Sequence, residues 1–284
     1  MSSGRTVLTI AALTLREAVR RRVVLALAGL TLVMLAFSGW GFSRLAGESG
    51  GLTSGQTRLT ASVVLNLVMF GFSLIAALGT AFLAGPTLAG ETESGIALAV
   101  LARPIRRSAF LLGKWLGLVA FGCGFVVVAG LAELLVVQAT MDYWPPQPSV
   151  ALAHLAAQTI VLLTLAVLLS TAISPMASGV VAVGLFGATW IAGVVGGIGA
   201  SLDNDAVARV GTISRMVLPT DGLWRGAMHA FQDPSAIVEF GGKEAGGFPF
   251  LSMAPLTTAY LLWAVVWVVM AWALAANSFV RRDL

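Results

Sequence analysis

A chain of 284 residues would suit one or two soluble domains, but apolar residues make up 58% of it and charged residues only 11%. Ordinary globular proteins are roughly a quarter charged, so the soluble class is excluded. Seventeen basic residues against thirteen acidic ones leave a net charge of +4, yet the bases are scattered between apolar runs, a pattern unlike a nucleic-acid-binding patch.

Several apolar runs reach the ~20 residues that a helix needs to cross about 30 Å of hydrocarbon. The sequence therefore describes an all-α polytopic membrane protein. Residues 5–22 carry apolar side chains on one helical face, through Leu8, Ala12, Leu15 and Val19, and end in a basic cluster. That suits an amphipathic elbow helix lying in the membrane interface. Arg16, Glu17 and Arg20 to Arg22 interrupt the first apolar run, so it does not read as a cleavable signal. Six spans are expected at 23–42, 61–88, 110–138, 151–172, 177–198 and 254–276. A Gly- and Ser-rich stretch, 43–60, separates the first two. The turn MDYWPPQPS places Tyr143 and Trp144 as interfacial anchors, and its three prolines stop the preceding helix. Small residues crowd span 5, which favours close helix packing. The longest polar segment is 200–252. The single Cys123 lies inside an apolar run and leaves neither a disulfide framework nor a thiolate metal site.

Charge asymmetry orients the chain. Eleven of the seventeen bases fall in the N-terminus, the 91–114 stretch and the C-terminal tail, which become the cytoplasmic side. Both termini are then inside, and 200–252 is extracytoplasmic.

Residues 91–114 (ETESGIALAVLARPIRRSAFLLGK) are the long charged interruption between spans 2 and 3. Acids at Glu91 and Glu93, an apolar stretch from Ile96 to Leu101, and Arg103 after it fit a short helix whose ends complement its dipole. Pro104 stops that helix, and Arg106, Arg107 and Lys114 fall at headgroup depth. The residues admit two readings, a surface helix that docks on a soluble partner or a solvated basic loop. Polar residues within spans are functional candidates because their burial in lipid is costly. They are Asn66, Glu133, Gln138 and Gln158, with Glu133 as either a pathway residue or a helix–helix hydrogen bond. His154 reads as an interfacial histidine near the end of span 4. Trp263 and Trp267 read as packing or lipid-facing residues.

The order E-x-E-S-G, L-x-R-P-I-R-R, L-L-G-K-W resembles the cytoplasmic loop of ABC-2 type ABC transporter permeases. The resemblance falls on Glu91, Glu93, Gly95, Pro104, Arg107, Gly113 and Lys114. Pro219, Asp221 and, one residue beyond the usual spacing, Arg225 resemble the family's external P-x-D-x-x-R element. The ending F-x-R-R-D-L is similar to the subgroup that includes nitrous-oxide-reductase maturation permeases. The resemblance implies a permease subunit in the cell membrane that forms a dimer with a second copy or a homologous permease. It implies two partner ABC ATPase subunits docked on a coupling helix within 91–107, with Glu91, Glu93, Gly95, Arg103, Pro104, Arg107 and Lys114 in the coupling. No G-x-x-x-x-G-K-[ST] occurs in the chain, so ATP and Mg would bind the partner, with no cofactor on this chain. The implied activity is export of a hydrophobic or amphipathic substrate, or mechanical work on an extracytoplasmic protein. An intramembrane enzyme built on Glu91, Glu93 and His154 would need residues that fall on opposite sides of the bilayer.

Overall fold

The first helix, α1 (Ser3–Arg20), ends at a bend at Arg21, and α2 (Arg22–Glu48) continues as the first long apolar helix. The computed structural model describes residues 3–48, 54–85, 106–233 and 248–281. Beyond α2, the helices are α3 (Ser54–Gly85), α4 (Arg107–Met141), α5 (Pro148–Ser170), α6 (Pro175–Ser201), α7 (Asp205–Val217), α8 (Thr220–Phe231) and α9 (Thr258–Arg281). Six of them, α2 to α6 and α9, are long and apolar enough to cross a membrane. The all-α architecture with six spanning helices is the one the sequence describes. At about 1.5 Å per residue, α3 and α4 measure roughly 48 and 52 Å. Both exceed the ~30 Å hydrocarbon core, and α3 begins within the polar stretch before span 2.

Local chemistry explains the ends. Asp142, in the left-handed region at φ 51°, caps α4, and its N–H reaches Gln138 O at 3.2 Å. Pro148 and Pro175 occupy first-turn positions of α5 and α6, where a missing N–H costs nothing. The α6–α7 turn uses Asp203 at φ 53°, and Asn204 caps α7 by accepting the Val207 N–H at 3.2 Å.

α3 and α5 are the most buried spans, while α2 and α9 expose most of their surface. The core is filled by Leu65, Met69, Phe72, Leu134 and Trp224, with Phe70 stacked on Trp190 at 4.6 Å. One departure from the sequence reading concerns α1. Leu8 and Val19, placed on its apolar face, are exposed, while Ile10, Thr14 and Ala18 face the protein. This face packs closely because α4 meets it with glycines. A Cβ on Gly113 would lie 2.9 Å from Val7 O, and one on Gly117 would lie 2.6 Å from Ala11 O. Leu8, Leu13 and Val19 are left on the outer face, where an interfacial helix meets lipid.

The polar segment 200–252 is not simply a connection. Among its described residues, two helices fold back onto the spans. α7 lies against α6 where Gly196 meets Gly211, and α8 is enclosed by α3, α5 and α6.

Candidate functional site

Two polar centres lie at opposite ends of the bundle. The first is on the α1 face, where α4 begins. Arg107 donates to Val280 O at 3.1 Å, tying the start of α4 to the end of α9. Two helical turns further, Lys114 is buried against α1 and lies 3.7 Å from Glu17, with its ammonium 5.8 Å from the Phe110 ring centroid. Glu17 also accepts from Arg21 at 2.5 Å. Partial burial pushes the Glu17 carboxyl up, but the Arg21 hydrogen bond and the Lys114 and Arg21 charges outweigh this and hold it below the ordinary value. Lys114 therefore sits at a seam between α1 and α4, directly after Gly113, which permits the close approach.

The second centre is on α8. Asp221, 1% exposed at its side chain, accepts Nε–H from Arg215 at 2.9 Å and from Arg225 at 3.0 Å, both on Oδ2. Arg225 also donates to Gly193 O at 2.7 Å. The carboxyl covers Gly193, where any side chain would collide with it. Arg225 follows Asp221 by one turn, so its pairing is local to α8, and Pro219 immediately precedes the helix. Arg215 comes from the end of α7. Three helices thus converge on one carboxylate.

α9 joins this centre through its side chains. Tyr260 Oη, Trp263 Nε1 and Trp267 Nε1 donate to the carbonyls of Arg215, Met216 and Val217 at 3.0, 3.1 and 2.8 Å. These are carbonyls in the last turn of α7, which lack partners within their own helix. The two tryptophans are therefore more than packing or lipid-facing residues: they cap α7 from a neighbouring span. α8 is anchored likewise, with Tyr143 Oη donating to Phe231 O at 2.6 Å and Gln147 N–H to Ala230 O at 3.2 Å. Burial and the nearby Asp233 carboxylate push the Tyr143 phenol up, against a smaller lowering by Arg58.

The polar residues within the spans each find a separate partner among the described residues. Glu133, fully buried on α4, accepts from Ser38 on α2 through Oε1, and Oε2 has no partner among the described residues. Asn66 donates to Phe250 O at 2.9 Å, and Gln158 accepts from Ser73 at 3.3 Å. Gln138 donates to Asp142 at 2.7 Å at the end of α4. His154 is half-buried with its ring against the Gly226 backbone on α8.

Of the residues singled out from the sequence, Asp221 and Arg225 are brought together, with Pro219 two residues before Asp221 at the helix N-cap. Glu91, Glu93, Gly95, Arg103 and Pro104 lie outside the described residues, as does the helix expected over 96–101. Sequence reasoning missed Arg215, Glu17, Ser38 and the Tyr260–Trp263–Trp267 ladder. The ladder has a visible signal in its i, i+3, i+7 spacing, whereas Arg215 has none, because its partner lies on another helix. No group of three or more metal-binding side chains occurs among the described residues.

A family model described as ABC-2 family transporter protein matches residues 8–284. No curated protein matches the chain. The family match covers nearly all of the sequence, so the chain belongs to the ABC-2 family, whose members are membrane components of transporters and not themselves catalysts.

Proposed function

We propose that this ABC-2 family protein is the permease subunit of an ATP-driven exporter, moving a hydrophobic or amphipathic substrate with energy from a separate ABC ATPase. The observation that carries the proposal is the family match across residues 8–284, in a chain with six apolar spans and no phosphate-binding loop of its own. Two copies of the chain, or one copy and a homologous permease, form the transmembrane unit in the cell membrane. Two ATPase subunits contact it from the cytoplasm and bind ATP and Mg.

The α1 face is the cytoplasmic one, supported by its excess of Arg and Lys. The coupling segment 91–107 precedes α4 in the chain, and the start of α4 lies on that face. The segment's far end is Arg107, which is held to α9 through Val280 O. A contact that moves this segment acts on the start of α4 beside the α1 seam formed by Gly113 and Lys114. The C-terminal F-x-R-R-D-L supports a place near the nitrous-oxide-reductase maturation permeases. The second reading, mechanical action on an extracytoplasmic protein, draws support from α7, whose Val210, Ile213 and Val217 are exposed. Its Arg215 end is bound into the spans.

The test is co-purification and co-reconstitution with the ATPase, comparing the native chain with Glu91→Ala and Arg107→Ala. Loss of the partner, or of substrate-coupled ATP hydrolysis in the variants, is the expected result. Retention of both properties by both variants rules out the coupling role of this segment.

A further inference from the structure

We propose that the groove between α2 and α4 is a binding site for one phospholipid with an acidic headgroup, taken from the same leaflet as α1. The groove has a volume of about 630 Å³, within the ~300–1,000 Å³ typical of small-molecule sites. Its walls are apolar from Leu15 and Val24 at one end to Leu35 and Ala132 at the other. The one hydroxyl in its lining, that of Thr31, is spent on Leu27 O at 2.8 Å. It opens sideways, since Leu32 at its rim is 66% exposed and Val128 70% exposed.

Depth and charge identify the occupant. From Val24 to Leu35 an α-helix rises roughly 16 Å, about half of the ~30 Å hydrocarbon core. The groove therefore matches one leaflet and the length of an acyl chain within it. Its interfacial end lies at the bend between α1 and α2. There Arg22 opens α2 two residues before Val24, Arg16 follows Leu15, and Arg20 is a turn away; all three are exposed. The one acid of α1, Glu17, is already paired with Arg21 and Lys114, so the bend presents a net positive surface. An acyl chain gains little by leaving neighbouring lipid tails for an equally apolar groove. Selectivity must come from the headgroup, and each Arg near the surface contributes roughly fivefold in preference for an acidic lipid. This assignment concerns a resident lipid and does not depend on what the protein exports.

Gly124 provides a specific test. It lines the groove, and a Cβ built on it meets nothing within 4 Å, so Gly124→Leu fills the groove without disturbing the fold. Gly184 on α6 also has open space around it, and Gly184→Leu serves as the control. The full chain is reconstituted in nanodiscs with equal phosphatidylglycerol and phosphatidylethanolamine, released, and weighed by native mass spectrometry. The native chain and Gly184→Leu should each retain one tightly held phosphatidylglycerol per chain that Gly124→Leu has lost. Arg22→Gln should lower the ratio of retained phosphatidylglycerol to phosphatidylethanolamine about fivefold. An unchanged lipid complement in Gly124→Leu, equal loss in Gly184→Leu, or an unchanged ratio in Arg22→Gln overturns the proposal. So does efficient disulfide dimerisation of a Gly124→Cys, Cys123→Ser variant in the membrane, which would put a second copy of the chain in the groove.

Discussion

Replacing Asp221 with Asn removes one charge from a site where three helices meet. The native carboxylate is 1% exposed and accepts from Arg215 and Arg225 at 2.9 and 3.0 Å, while the arginine side chains retain 29% and 16% exposure. Asn keeps the shape and one acceptor oxygen but leaves two guanidinium groups facing each other without a counter-charge. Breaking a buried ion pair from one side costs about 3–5 kcal/mol. Because both arginines keep a solvent edge, the lower end applies, about 3 kcal/mol. On the scale of domains of 150–250 residues, where 1 kcal/mol is worth about 2–4 °C, the unfolding midpoint should fall by about 6–12 °C. The assay is thermal unfolding of the purified chain in one detergent at fixed ionic strength. A second variant, Arg215→Met, Asp221→Leu, Arg225→Met, removes all three charges together and should recover most of the loss, as apolar replacements of buried ion pairs do. A shift below about 2 °C for Asp221→Asn would refute the claim that this carboxylate holds α6, α7 and α8 together.

Two further outcomes follow from the α1 seam. Gly117→Leu should displace α1 and cost about 1–3 kcal/mol, since its Cβ would lie 2.6 Å from Ala11 O; proteolysis after Arg16 and Arg20 reports the displacement. Glu17 is held below its ordinary value of 4.5, so its contribution to α1 docking is present above that pH and lost as the pH falls through the lower, folded value. Hydrogen exchange of α1 between pH 7 and pH 3 should show that loss in the native chain, and the Glu17→Gln variant should lack the step.

The spans were legible because a length of apolar chain suffices to define them, whatever packs against it. Asp221 and Arg225 were singled out only by resemblance to a family element, and their pairing at i, i+4 emerged from the structure. The burial of α8 was not legible. Its sequence, TDGLWRGAMHAF, carries two charges that stay paired on their own helix yet leave no sign that the helix enters the bundle. Only Arg215, supplied across the Leu218–Pro219 turn, and the carbonyl of Gly193 complete the site. The α1 seam was half legible: G-K-W-L-G has the small-xxx-small spacing of close helix contacts. Which face of α1 it would receive was not legible: Val7, Ile10, Thr14 and Ala18 turn inward, while Leu8, Leu13 and Val19 stay outside.

The two short helices pose a problem that the rest of the fold is arranged to solve. Breaking a chain into short helices beside a bilayer leaves carbonyl groups at each helix end, and such groups need partners where water is scarce. α7 takes its partners from α9, through Tyr260, Trp263 and Trp267, and α8 takes its own from Tyr143 and the Gln147 N–H before α5. α9 is among the least buried of the spans, so packing alone does not explain how it is held. Its start is fixed by that ladder, and its end by Arg107 on Val280 O. At about 1.5 Å per residue its 24 residues extend roughly 36 Å. One helix thus carries specific polar contacts to the start of α4 on one face and to the Arg215–Asp221–Arg225 centre on the other.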